Sequence, residues 1–70
     1  MENYYESFEH KYNKNHICHY DEIDYWEIVE TDGDVFYFPV LKSGKTMFGL
    51  SEQDNGAEQL KKYFAYKNKL

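Results

Sequence analysis

Asp32 and Gly33 constrain this 70-residue chain more than any other pair. Asp-Gly is a preferred centre for a type I′ turn, and runs of ring and β-branched side chains flank it on both sides. Tyr25 to Thr31 lead into the turn and Val35 to Leu41 lead out, so the sequence predicts a β-hairpin. Cross-strand geometry then places Tyr25, Val29, Phe36, Phe38 and Val40 on one face and Trp26, Ile28, Val35, Tyr37 and Leu41 on the other. Both faces are largely apolar. One is expected to pack on helices, while the other calls for a further element or a partner. Pro39 has no amide proton, which predicts that its strand lies at an edge or carries a bulge.

Tyr5, Phe8 and Tyr12 recur at helical spacing, with Asn3 placed as an N-cap and Glu6 as its capping-box partner. They predict a short first helix over residues 3–14, ended by Asn13-Lys14-Asn15. Residues 16–21 suit either a strand or an irregular connection. Lys42-Ser43-Gly44 reads as a turn, residues 45–50 as a third strand, and Ser51 or Asp54 as the cap of a last helix marked by Ala57, Leu60 and Phe64. Lys61, Lys62, Lys67 and Lys69 suit the negative end of that helix's dipole. The expectation is an α+β fold: an N-terminal helix, a three-stranded antiparallel meander and a C-terminal helix packed on one sheet face, all within one small domain spanning residues 1–70.

Such a chain must build its core from rings. Ile, Val and Leu number 10, against 14 Phe, Tyr and Trp, and each large ring buries roughly 150 to 250 Å². Eight of those rings are Tyr, too many hydroxyls for a small core to satisfy, so several Tyr belong at the surface, where they suit binding. A single cysteine, Cys18, rules out an intramolecular disulfide and favours a reducing compartment. Neither a signal peptide nor an apolar run of about 20 residues is evident, which points to a cytoplasmic protein with no membrane partner.

The net charge of −5 is uneven. Residues 1–34 hold ten acids and two Lys, whereas residues 35–70 hold three acids and six Lys, giving −8 and then +3. The acidic half and the complete lack of Arg argue against direct nucleic-acid binding, which needs a dominant basic face and profits from bidentate donors.

Four constellations invite chemistry. Gly44-Lys45-Thr46 ends like a phosphate-binding loop, but that loop needs a glycine where this chain has Pro39, and a helix after it. His10, His16, Cys18 and His19 define a small metal- or ligand-binding alternative. Their spacing matches no zinc pattern, and on a strand His16 and Cys18 share a face while His19 points away. Cys18 between two histidines resembles an activated thiolate, yet sequence neighbours lack the geometry for that role, so no catalytic residue, cofactor or metal is assigned. The fourth is acidic: Asp21, Glu22, Asp24, Glu27, Glu30, Asp32 and Asp34 place seven carboxylates in fourteen residues with no Lys among them.

The bland account of that acidic run is a solvated rim that guards a hairpin edge against aggregation. The functional account is an anionic, aromatic-studded surface for a basic protein partner, formed by Asp24, Trp26, Glu27, Glu30, Asp32, Asp34 and Tyr37. Alternate strand residues lie about 6.6 Å apart, close to twice the ~3.4 Å rise of nucleic acid, so the spacing allows mimicry of a nucleic-acid strand. The expected function is non-catalytic binding, as an inhibitor or regulator. A phage-type inhibitor that occupies the groove of a nucleic-acid-binding enzyme is one concrete version. A structural homodimer that covers its own second sheet face is the remaining alternative.

Overall fold

A computed structural model describes residues 3–69 as five strands in two antiparallel sheets followed by one helix. The first sheet pairs β1 (Tyr4–Glu9) with β2 (Lys14–His19); the second has the order β3 (Ile23–Thr31), β4 (Asp34–Leu41), β5 (Leu50–Ser51). The helix α1 spans Gly56–Asn68. The fold is therefore α+β, with the C-terminal helix in place and the N-terminal helix replaced by a hairpin.

The correction at the N-terminus has a physical cause. Burial along β1 alternates, with Tyr5 and Ser7 inside and Tyr4, Glu6 and Phe8 outside, which is the period of a strand. Both inward side chains donate to one distant acceptor: the Tyr5 hydroxyl reaches the Phe48 carbonyl oxygen at 2.5 Å and Ser7 Oγ reaches it at 2.7 Å. Tertiary pairing thus overrides the helical spacing of Tyr5, Phe8 and Tyr12. A 3-10 turn at His10–Tyr12 closes the hairpin, with Asn13 in the left-handed region at φ 49°, which Asn tolerates better than most residues. A second 3-10 turn, Tyr20–Glu22, joins the sheets. His19 Nδ1 accepts from the Asp21 amide while Glu22 accepts from the His19 amide, a reciprocal cap that satisfies two donors at once.

The β3–β4 hairpin has the turn and register read from the sequence, with strands that begin earlier, at Ile23 and Asp34. Asp32 and Gly33 adopt φ of 50° and 81°, the positive values a type I′ turn requires. The register Tyr25↔Val40, Trp26↔Pro39, Ile28↔Tyr37 and Val29↔Phe36 assigns side chains to the two faces as cross-strand geometry demands. Asp24 is an extra residue between Ile23 and Tyr25, and forms a bulge.

Along the other edge of β4, the expected third strand is cut short. Only Leu50 and Ser51 pair with it, apart from an isolated Thr46↔Val40 bridge. Met47, Phe48 and Gly49 lie opposite Phe38 and Pro39, one residue more than a regular ladder accommodates. Pro39 turns its missing N–H toward this interruption, and its carbonyl accepts from Met47 N at 2.9 Å. A proline is thereby accommodated in a strand that has neighbours on both sides. Gly49 is required at the irregularity, because a Cβ there would lie 2.5 Å from the Phe38 ring and 2.9 Å from the Tyr37 carbonyl oxygen.

The core is aromatic, as the shortage of aliphatic residues demands. Tyr5, Cys18, Tyr20, Ile23, Met47 and Tyr63 form its buried centre, with Trp26, Leu41, Leu50 and Tyr66 packed around it. Trp26 meets Tyr5 edge-on at 5.6 Å and Tyr63 at 5.6 Å, so one indole joins the first hairpin to α1. Such ring pairs contribute about 0.5–1.5 kcal/mol each beyond their buried area. Helix α1 buries Gly56 and Tyr63 and leaves Phe64 half exposed. The residue that anchors it is thus Tyr63, one position before the expected Phe64. Ser51 caps a short 3-10 turn, Glu52–Asp54, just ahead of α1.

Candidate functional site

The hairpin formed by β3 and β4 separates into a packed base and an exposed arm. At the base, Ile23, Val40 and Pro39 are buried. Along β3, Tyr25 near the base and Ile28 and Val29 toward the turn are 51%, 56% and 44% exposed. These apolar side chains are interleaved with Asp24, Glu27 and Glu30 on the same strand.

The charges expected at this surface differ in exposure. Asp24, Glu27, Glu30 and Asp32 are exposed, and among the described residues none is paired with a cation. Asp34 is half-buried and accepts a hydrogen bond from Gln53 Nε2 at 3.3 Å. The two rings behave differently. Tyr37 is 8% exposed and lies against Gly56 of α1, while Trp26 is half-buried between Tyr5 and Tyr63. Both are packing residues, so the apolar part of the exposed surface is supplied by Tyr25, Ile28 and Val29 instead. The cue available in the sequence was strand position. These residues lie on the strand that, among the described residues, has a sheet neighbour on one side only.

His10, His16, Cys18 and His19 are dispersed. His16 bonds Glu9 Oε1 at 2.9 Å and stacks on Phe48, His10 meets Phe8 edge-on, and His19 caps the turn at Asp21. Cys18 is on the inward side of β2, opposite Tyr5. Among the described residues no three His, Cys, Asp or Glu side chains are grouped to hold a metal. Burial, reinforced by the Glu22 charge, pushes the Cys18 thiol up to about 11, the reverse of what an activated thiolate needs. Gly44 sits at φ 94° in a tight turn, with its amide donating to the Leu41 carbonyl. Extended chain follows, so the Gly44-Lys45-Thr46 turn opens no helix for a phosphate.

A groove of about 570 Å³ runs between the first hairpin and the second sheet, lined by Phe8, Phe36, Phe38 and Phe48. It is mostly apolar, with Glu9, Lys11 and Asp54 also in its lining. Four phenylalanines on three separate segments meet there, which the sequence could not reveal without the register of the first hairpin. No helix among the described residues is long and apolar enough to cross a membrane. No protein-family model, curated protein or solved structure matches this chain.

Proposed function

We propose that this chain is a non-catalytic binding protein, an inhibitor or regulator that engages a basic protein partner through the β3–β4 arm. The observation that carries this reading is the combination of cation-free carboxylates on Asp24, Glu27, Glu30 and Asp32 with exposed Tyr25, Ile28 and Val29 on the same projecting strand. Uncompensated charge accelerates encounter with an oppositely charged surface, and apolar side chains then hold the complex by losing contact with water. A charge rim alone would explain the acids but leaves the exposed Ile28 and Val29 unaccounted for.

The test is affinity capture from the source cell with two baits, the parent chain and the triple variant Glu27→Gln, Glu30→Gln, Asp34→Asn, followed by identification of the retained proteins by mass spectrometry. A basic protein held by the parent and lost from the variant is the expected outcome. Identical sets from both baits would reject the arm as the interface.

A further inference from the structure

We infer that the open edge of β3 binds an extended, basic segment of a partner protein as an added strand of the β3–β4–β5 sheet. This deepens the proposed function and rests on it, since it names how the acidic arm is occupied. The backbone geometry supplies the first step. In an antiparallel ladder successive residues turn their N–H and C=O to opposite sides. Because Pro39 turns toward Met47, Phe36, Phe38 and Val40 turn toward β3, where Val29, Glu27 and Tyr25 answer them. Trp26, Ile28 and Glu30 therefore direct their backbone groups outward. Among the described residues no backbone hydrogen bond from outside the β3–β4 ladder reaches these three.

A nine-residue edge strand is an exposed template, and folded proteins normally blunt such an edge with charges or a bulge. This strand has both devices, yet it also keeps Tyr25, Ile28 and Val29 exposed between the acids, which protection alone does not call for. A cleft of about 270 Å³ lies between β3 and α1, lined by Trp26, Ile28, Leu60, Tyr63 and Phe64. Every second side chain of an added strand would project over the side of the sheet that this cleft occupies. Trp26 also carries the one buried side-chain donor without an acceptor among the described residues, its indole N–H.

The charge pattern decides the occupant. A second copy of this chain would bring another β3 edge, and with it a second set of Asp24, Glu27 and Glu30 and no cation. Like charges facing each other across paired strands destabilise the pairing. A segment with Lys or Arg alternating with apolar residues meets the carboxylates and the exposed side chains together.

The experiment titrates the full chain with a synthetic peptide of about nine residues that alternates lysine and valine, a pattern suited to strand addition at a sheet edge. Amide exchange is followed by NMR. Protection should appear at the Trp26, Ile28 and Glu30 amides. A twin peptide methylated on alternate backbone nitrogens should bind about tenfold more weakly, since it loses main-chain hydrogen bonds, and a glutamate–valine peptide should not bind. Ile28→Pro removes an outward N–H that the β4 ladder does not use, and should weaken binding similarly. If that variant does not fold, the methylated peptide carries the comparison alone. Salt-dependent binding of the lysine peptide that is indifferent to methylation and protects none of the three amides would overturn strand addition while leaving the acidic-arm reading intact. No salt-dependent binding at all would remove both. Protection of the same amides in the chain alone, with a doubled mass, would assign the edge to a second copy and overturn the basic-segment proposal.

Discussion

Replacing Tyr5 by Phe removes one hydroxyl from the centre of the core, with opposite consequences at neutral and alkaline pH. Tyr5 is fully buried and shares the Phe48 carbonyl with Ser7. In the variant Ser7 still satisfies that carbonyl, so the loss at pH 7 is one net hydrogen bond, about 1 kcal/mol. Burial, with the nearby Cys18 adding and the Ser7 hydrogen bond partly offsetting, raises the Tyr5 hydroxyl from 10 to about 12. A raised pKa means that the unfolded chain ionises first as pH climbs. The stability held below pH 10 is therefore progressively lost up to about pH 12. At pH 11 this loss is about 1.4 kcal/mol for the parent and absent from the variant.

The parent's advantage at pH 7 should thus disappear by about pH 11. Urea unfolding followed by Trp26 fluorescence at pH 7, 9 and 11 measures it. A constant gap at all three values would refute the buried, hydrogen-bonded placement of Tyr5. Ser7→Ala alone should also cost about 1 kcal/mol, whereas the double variant should cost more than the sum, because it leaves the Phe48 carbonyl without a donor.

Three further outcomes follow from named residues. Gly33→Val should destabilise the fold by about 1–3 kcal/mol in thermal or urea unfolding, because φ of 81° at Gly33 is strained for a β-branched side chain; an unchanged melting temperature would reject the turn. Tyr37→Ala should cost about 3–5 kcal/mol, the usual range for truncating a buried ring, since Tyr37 is 8% exposed; near-neutral stability in urea would return that ring to the surface. EDTA should leave the unfolding midpoint unchanged, because no metal-holding group forms among the described residues; a marked fall would make His16, Cys18 and His19 ligands.

The parts of this fold that local chemistry dictates were readable in the chain. Asp32-Gly33 determines turn and register together, and the faces of β3 and β4 follow without tertiary information. The first hairpin was not readable, because one of the two buried inward positions of β1 is Ser7, a polar residue that hides the period of two. Its burial makes sense only through the Phe48 carbonyl, 41 positions away. In the candidate site the acids were legible as a cluster, since charge density is a property of sequence. Which rings were exposed was not, because Trp26 and Tyr37 take their environment from Tyr5, Gly56 and Tyr63. The openness of the β3 edge likewise depends on where β1 and β2 pair, and they pair with each other.

Association kinetics test the role of the acidic arm most directly. With the captured partner, rates are measured at low and high salt for the parent and for the variant Glu27→Gln, Glu30→Gln, Asp34→Asn. The variant is expected to retain the fold, since Glu27 and Glu30 are solvated and an amide oxygen at position 34 still accepts from Gln53. It should associate about tenfold more slowly at low salt, with a flatter dependence on ionic strength. An equal rate with an equal salt slope would contradict the assignment, leaving the arm a solvated rim and moving the search for the interface to the Lys-rich C-terminal helix.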